Sequence, residues 1–287
     1  MVTDVAYSDW NLVPTPDLGE LRKKSTFMDI NAAVTIHTDE KATIDDATWL
    51  YNSGCKILDI YGHSGDSKAD AYVIKSASQL LSLAKEVNSG AMTFAGKYIR
   101  LDADITMQSS TTSADVKWQG IGTEGKPFQG TFLGGDRFIN RLSGSGLFGL
   151  LGENACVEQL QITTVDSIQG GALAVSNAGI IGGCRVVDDI TTDDGALVGT
   201  NSGTIHACYC TGEITGGKGS LIGSGTAGVG CYTASEIDAF DDATLNNKVA
   251  ELNQALEKLY KSFEHTQYQF KFVKADYPVV TIFQKLQ

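Results

Sequence analysis

Four aspartates in one short stretch have the clearest potential for chemistry. Asp188 and Asp189 precede Ile190-Thr-Thr, and Asp193 and Asp194 follow it. Two carboxylates roughly 5 to 10 Å apart can serve as acid and base in glycoside hydrolysis, so one hypothesis is a polysaccharide hydrolase or lyase. Aspartate is also a common turn residue, and a solvated turn explains the same positions. The turn interpretation is favoured, and no EF-hand spacing or Gly-Gly-x-Gly-x-Asp repeat indicates calcium.

Nucleophilic and metal chemistry find less support. His206 lies two residues before Cys208, which is predicted to point inward, so the two side chains share a face of a strand only if both are buried. A hydrogen-bonded or outward-facing histidine is favoured over Cys-His catalysis. The six cysteines form no CxxC pair and the four histidines lack metal spacing relative to them. We therefore predict no metal and no cofactor.

Three aromatic residues are candidates for binding. Trp118, Tyr209 and Tyr232 could stack on sugars or on a protein partner. The alternation of a strand puts Tyr209 outward, between inward Cys208 and Cys210. Scattered aromatic residues are also ordinary on a protein surface, and both interpretations stay open.

Composition excludes several classes of protein. The chain has 287 residues and a net charge of -12, whereas nucleic-acid and anionic-lipid surfaces need clustered cations. Uncharged runs at 167–184, 195–212 and 219–235 are interrupted by Gly, Ser, Thr or Asn, unlike a lipid-spanning helix. The first residues carry no basic region followed by an apolar one, so no secretory signal is predicted within this chain.

A repeat organises the middle of the chain. Its segments begin with Gly146-Leu-Phe-Gly, Gly171-Ala-Leu-Ala, Gly195-Ala-Leu-Val and Gly219-Ser-Leu-Ile, and recur at a nearly constant interval of roughly 24 residues. A unit of this length is too short for a βαβ unit of roughly 30 residues and has no helical periodicity. Stacked units can bury the apolar face that one unit cannot. The pattern predicts a mainly β protein, a right-handed parallel β-helix of about six coils.

Stacked coils place equivalent residues in columns. Leu160, Cys184 and Cys208 are predicted to form one column inside the solenoid, with the cysteines acting as small hydrophobic residues. Adjacent coils would bring Cys184 and Cys208 near enough for a disulfide, which this geometry permits without requiring.

Both ends of the solenoid need caps, because its terminal strands are open edges. Ser76-Ala-Ser-Gln79 is a capping box that predicts a helix at the N-terminal end. At the other end a helix after Thr244 is predicted to dock across the last coil, and Tyr268-Gln-Phe-Lys-Phe-Val is predicted to be a strand. The apolar residues of these two helices are Leu80, Leu81, Ala84 and Val87 in the first and Leu245, Val249, Leu252, Leu256, Leu259 and Phe263 in the second.

Six short motifs follow one another in order: Tyr72-Val-Ile-Lys, Phe94-Ala-Gly-Lys, Trp118-Gln-Gly-Ile, Pro127-Phe-Gln-Gly, Ile139-Asn-Arg-Leu and Gly146-Leu-Phe-Gly. This succession resembles the GLUG-motif β-helix proteins on the surface of Bacteroides-type gut bacteria, over residues 72–237. The resemblance implies an exported, often lipid-anchored, adhesin-like protein whose leader has been removed. Leu133-Gly-Gly-Asp136 departs from the turn usual in that family, which puts a polar role of this turn in doubt.

These observations combine into one prediction. Residues 1–71 form an N-terminal module or cap, with strands expected at 33–38 and 56–61, residues 72–237 form the β-helix, and residues 238–287 form the C-terminal cap and closing strand. The predicted function is non-enzymatic binding of a glycan or a host or bacterial surface protein on a lateral face, at the cell surface. A polysaccharide lyase or hydrolase, and a passive surface stalk, are the alternatives.

Overall fold

The computed structural model describes residues 63–107 and 118–241, with shorter stretches at 4–5, 35–36, 243–244, 246–251, 253–254, 268–273 and 280–285. Parallel sheets wind into a β-solenoid of about six coils. The predicted fold class is confirmed. Where the chain divides into domains stays a prediction.

Most strands are short, because each coil turns several times within a single repeat, whereas β6 and β8 are long and their pairing contains register shifts. Outside the solenoid, β1 is Asp4–Val5, β2 is Thr35–Ile36, β18 is Tyr268–Val273 and β19 is Val280–Lys285. Those of the solenoid are β3 (Tyr72–Ile74), β4 (Tyr98–Leu101), β5 (Ile105–Thr106), β6 (Thr131–Ser145), β7 (Phe148–Leu151), β8 (Cys156–Gln169), β9 (Ala174–Asn177), β10 (Ile180–Gly182), β11 (Arg185–Val186), β12 (Ile190–Thr191), β13 (Val198–Asn201), β14 (Thr204–His206), β15 (Tyr209–Cys210), β16 (Ile214–Thr215) and β17 (Ile222–Gly225).

Neighbouring coils pair in parallel with the period seen in the sequence. Val186 of β11 pairs with Ile162 of β8 and with Cys210 of β15. This register aligns the adjacent residues Leu160, Cys184 and Cys208, and all three side chains are fully buried. The predicted column is confirmed. All of the cysteines described have free thiols, Cys184 and Cys208 among them.

One residue per coil adopts a left-handed conformation at the corner between the first two strands. The φ angles are +60° at Gln159, +65° at Gly183 and +54° at Ala207. Only glycine adopts this region without cost, so the corner costs backbone energy in two of these coils. Stacking of the coils holds the corner residues in the left-handed conformation, because the strands on both sides of each corner pair in register with neighbouring coils.

The interior changes character along the axis. In the first coils Phe128 lies between Phe94 and Phe148, with ring centroids 6.3 and 5.3 Å away, and Phe132 meets Phe148 edge to face at 5.4 Å. All four rings are buried. In the later coils smaller side chains occupy the same columns: Ala174 and Val198 follow Phe148, and Val157, Ile181 and Ile205 follow Phe132. A solenoid keeps nearly constant coil spacing, so the interior accommodates either large rings or smaller side chains according to its local cross-section.

Two asparagines in the predicted turns lie inside the solenoid. Asn177 and Asn201 pair in register and are 0% and 1% exposed. Asn177 Nδ2 donates to Asn201 Oδ1 at 2.8 Å, and Asn201 Nδ2 donates to the carbonyl of Thr226 at 2.7 Å. Each side-chain oxygen also accepts the N–H of the glycine two residues later, Gly179 or Gly203. This asparagine ladder links the turns of successive coils through hydrogen bonds of buried side chains.

The N-terminal capping helix is confirmed. Helix α1 spans Ala77–Ser89, and the hydroxyl of its N-cap, Ser76, accepts the N–H of Gln79 at 3.3 Å. Gln79 Oε1 accepts the N–H of Lys75 at 2.7 Å, one residue before the partner that a capping box would use. The predicted apolar face of this helix, Leu80, Leu81, Ala84 and Val87, is buried.

At the C-terminal end a short helix α2, Ala234–Asp238, begins with a complete capping box between Thr233 and Glu236. Residues 243–244, 246–251 and 253–254 are helical, as predicted, and Val249 is half-buried there. The other residues of the predicted stripe, Leu245, Leu252, Leu256, Leu259 and Phe263, lie outside the described residues. The strand at 268–273 is confirmed and pairs with β19 antiparallel.

The N-terminal predictions are met in part. Of the strand expected at 33–38, Thr35–Ile36 forms β2 and pairs in parallel with β1. The strand expected at 56–61 lies outside the described residues.

The last coil is one residue shorter than the repeat predicts. Tyr209 pairs with Tyr232, and His206 pairs with Val229. Val229 therefore continues the outward column of His206 and is 53% exposed. The repeat predicts instead that Val229 is the equivalent of Ile205, which is buried. The same shift brings Cys231 into line with Cys208.

Candidate functional site

The lateral faces of the solenoid differ in how accessible they are. On the face formed by β8, β11 and β15 the outward side chains of Gln161 and Tyr209 are buried. We call this the covered face. Tyr209 points outward, as alternation requires, but is only 6% exposed. The prediction that Tyr209 is an exposed stacking residue is wrong, because alternation within a strand sets direction and not whether other parts of the chain cover it.

A polar network occupies the covered face. Arg185 Nε donates to Gln161 Oε1 at 2.7 Å and Nη1 donates to the Tyr209 hydroxyl at 3.1 Å. Arg185 Nη2 also lies 3.2 Å from Asp136 Oδ1, and Gln161 Nε2 donates to that oxygen at 2.8 Å. Burial raises the pKa of Asp136, while Arg185 and Gln161 oppose the rise. Asp136, in a turn whose polar role the sequence put in doubt, therefore anchors this network.

The sequence held a signal for this network that residue types alone did not reveal. Gln161, Arg185 and Tyr209 follow one another at intervals of one repeat period. In a solenoid that spacing implies three side chains stacked on one face. Asp136 could not be found in this way, because the strand register shifts between Leu133 and Arg137.

The other two aromatic candidates do not join Tyr209 in one exposed row. Tyr232 is in register with it but is half-buried, with its ring edge to face on Phe240 at 5.3 Å. Trp118 lies at a different corner and its indole N–H donates to the carbonyl of Gly146 at 3.0 Å. Trp118 is partly buried against the core. Only Trp118 is placed near an open face.

The four aspartates lie at two successive corners, as the turn interpretation predicts. Asp189 Oδ1 accepts the N–H of Glu213 at 2.8 Å, and Asp193 Oδ1 accepts the N–H of Gly170 at 2.7 Å. These bonds tie each corner to a neighbouring coil. Strand β12 separates the two corners.

The two remaining aspartates occupy the same corners. Asp188 has a φ of +69°, and its N–H donates to the Thr211 hydroxyl at 3.2 Å. Asp194 Oδ1 lies 3.7 Å from Lys218 Nζ. Within the described residues no cluster of three or more His, Cys, Asp or Glu side chains is arranged to hold a metal ion.

The face around β12 is open. Its outward side chains, all exposed, are those of Ser167, Gln169, Thr191, Asp193 and Thr215; we call these five residues the open face. Thr191 pairs directly with Thr215, so their hydroxyls repeat at about 4.8 Å along the axis. The open face is thus a regular surface of hydroxyl, amide and carboxylate groups.

Trp118 lies at the corner beside the open face. Its carbonyl approaches Gly144, which pairs with Ile168, and Ile168 pairs with Thr192. Three coil steps therefore separate Trp118 from Asp193, which corresponds to ~14 Å along the solenoid axis. An indole at one end and hydrogen-bonding side chains along the rest can together contact an extended polar ligand.

His206 gives a prediction about pH. Its Nδ1 is buried with no hydrogen-bond partner among the described residues, and burial lowers its pKa below 6.5. At a pH between the pKa of His206 in the folded chain and its pKa in the unfolded chain, the unfolded chain binds more protons. The contribution of neutral His206 to stability is therefore present above pH 6.5 and is lost as the pH falls through the folded-state pKa. We expect the melting temperature to fall between about pH 8 and about pH 5, and to fall less in His206→Gln. Equal pH dependence in both proteins would contradict this.

No helix among the described residues has the length and apolar composition needed to cross a bilayer.

No family profile matches the chain, so its resemblance to the GLUG-motif proteins stays a prediction. An Evansella cellulosilytica protein described as "Putative Gly-rich membrane protein" is 31% identical over 135 residues, 42% of this chain and 15% of that protein. A crystal structure described as a "putative immunoglobulin A1 protease" from Bacteroides ovatus has a TM-score of 0.46 at 20% identity, covering 59% of this chain and 58% of that one.

Proposed function

We propose that this chain is a non-enzymatic, adhesin-like protein of the bacterial cell surface that binds a glycan along the open face. The observation that carries the proposal is the exposed row of Ser167, Gln169, Thr191, Asp193 and Thr215 with Trp118 at the adjoining corner. Glycans offer many hydroxyls to such a row and apolar ring faces to an aromatic side chain.

Accessibility supports the open face over the covered one. Arg185 and Gln161 on the covered face already bond to each other and to Tyr209, and only 17% of the Arg185 side chain is exposed. A ligand there would have to break these bonds. The side chains of Thr191 and Thr215 are exposed, so a ligand can reach their hydroxyls from solvent.

The charge of the open face favours a neutral glycan. Asp193 belongs to this face, and the exposed carboxylates of Asp188, Asp189 and Glu213 lie beside it. Lys218, the nearby cation, is paired with Asp194. Anionic sugars would meet repulsion from these carboxylates.

Binding is tested with a glycan array, followed by titration calorimetry on the neutral glycan that binds best. We expect Trp118→Ala to weaken binding about tenfold, equivalent to about 1.4 kcal/mol, and Thr191→Ala about fivefold through loss of one hydrogen bond. Thr200→Ala is the matched control, because Thr200 is an exposed threonine on a different face. Equal losses for Thr191→Ala and Thr200→Ala would contradict binding at the open face.

The same glycans test the enzymatic alternative. Release of reducing ends that disappears in a protein with Asp188, Asp189, Asp193 and Asp194 all changed to Asn would overturn the non-enzymatic proposal. Asparagine keeps an oxygen that can accept the backbone N–H groups bound by Asp189 and Asp193, so the corners should fold. Neither binding nor cleavage across the array would support a passive stalk.

A further inference from the structure

Three cysteines stack in successive coils at the C-terminal end of the solenoid. Cys208 aligns with Cys184 through the pairing of Arg185 with Tyr209, and with Cys231 through the pairing of Tyr209 with Tyr232. The N–H of Tyr232 donates to the carbonyl of Cys208 at 3.1 Å, which holds the last coil in this register. In-register neighbours in a parallel sheet are about 4.8 Å apart, within the Cα separation that a disulfide needs.

The three thiols share one orientation. Each sulfur contacts the carbonyl oxygen two residues earlier, at 3.5 Å for Cys184, 3.2 Å for Cys208 and 3.7 Å for Cys231. The register of the coils stacks Cys208 directly between Cys184 and Cys231. Cys208 is therefore within reach of two partners and can bond covalently to only one of them.

Access distinguishes the two partners. Cys184 and Cys208 are fully buried, whereas Cys231 is partly exposed beside the last turn of the solenoid. Thiol–disulfide exchange begins with attack by an accessible thiolate. Oxidation can therefore begin at Cys231 without opening the core.

We propose that Cys208 and Cys231 form a disulfide bond when the chain meets a low-molecular-weight disulfide, and that Cys184 stays reduced. The deprotonated sulfur of Cys231 attacks one sulfur of the reagent, forming a mixed disulfide and releasing one thiol. The sulfur of Cys208 loses its proton and attacks the Cys231 sulfur, releasing the second thiol. The two cysteine sulfurs are oxidised by two electrons in all, and the reagent is reduced to two thiols.

Burial affects the rate of the second step. It raises the pKa of the Cys208 thiol well above its ordinary value, so little thiolate is present while the coil is closed. We expect the mixed disulfide at Cys231 to form first and the internal bond to follow more slowly.

The bond can be mapped directly in the full chain. Folded protein is incubated with oxidised glutathione, its remaining thiols are alkylated, and it is digested with trypsin without reduction. Arg185 and Lys218 are cleavage sites that separate Cys184, Cys208 and Cys231 into three peptides. We expect a linked pair of the peptides 186–218 and 219–248, with fragmentation placing the bond at Cys208 and not at Cys210.

Two variants sharpen the test. Cys231→Ser should yield no linked peptide containing Cys208, and Cys184→Ser should yield the same linked pair as the wild type. Oxidation should raise the melting temperature of the wild type and of Cys184→Ser by several degrees, because the bond closes a loop in the unfolded chain. The melting temperature of Cys231→Ser should not change on oxidation.

Three results would overturn the proposal: a bond between Cys184 and Cys208, a bond from Cys231 to Cys55, or a mixed disulfide at Cys231 that never resolves. None of these results bears on glycan binding at the open face.

Discussion

Replacing Asn201 with alanine should destabilise the protein by about 2–4 kcal/mol, because its buried side chain makes several hydrogen bonds that are lost together. The Asn201 side chain bonds to Asn177 Nδ2, to the N–H of Gly203 and to the carbonyl of Thr226. Alanine removes all three bonds at a position that is 1% exposed. Asn177 Nδ2 keeps its bond to the carbonyl of Gly179, and the N–H of Gly203 keeps its bond to the carbonyl of Asn177. The expected loss is therefore about 0.5–1.5 kcal/mol for each bond that is removed.

The neighbouring Thr200 supplies a control. It is exposed, and its hydroxyl lies 3.2 Å from that of Ser224, so Thr200→Ala should cost less than about 0.5 kcal/mol. Equilibrium unfolding in urea, compared by midpoint and slope, measures both variants. A loss below about 1 kcal/mol for Asn201→Ala would mean that the ladder contributes little beyond what water supplies.

Replacing Phe148 with alanine should cost about 3–5 kcal/mol, for a different reason. Phe148 is fully buried and touches the rings of Phe128 and Phe132, which come from the adjacent part of the solenoid. Removing the ring leaves a cavity between two coils. The stacked backbones cannot close that cavity, because hydrogen bonds fix the coil spacing.

Phe148→Leu is the matched control, since leucine refills most of the space and should cost about 1–1.5 kcal/mol. Both variants are compared by urea midpoint at one temperature. If leucine proved as costly as alanine, the specific ring contacts would matter more than the filled volume. If both variants were near neutral, this aromatic cluster would not hold the first coils together.

The repeat period determined the architecture, because coils this short can bury their apolar faces only by stacking. From that period the sequence also predicted which residues share a column, and Leu160, Cys184 and Cys208 lie in one as expected. Local signals were sufficient for the N-terminal helix: the bond from Gln79 N–H to Ser76 depends on residues three positions apart.

Burial of outward-facing residues could not be read from the period. Tyr209 and Thr191 both point away from the solenoid axis, yet Tyr209 is buried and Thr191 is exposed. Alternation specifies direction, whereas accessibility depends on which distant segments pack against a face. The same limit applies to Asp136. It joins the polar network of the covered face at a point where the strand register shifts, between Leu133 and Arg137.

The sequence by itself determined the coil, its period and its N-terminal cap, because these follow from contacts between residues that are close in the chain or one repeat apart. Only the tertiary structure decided which face is open, that Asn201 lies inside the solenoid, and that Cys231 aligns with Cys208. These features depend on a one-residue change in coil length and on packing between distant segments. Such differences are small in sequence but move a side chain from one environment to another.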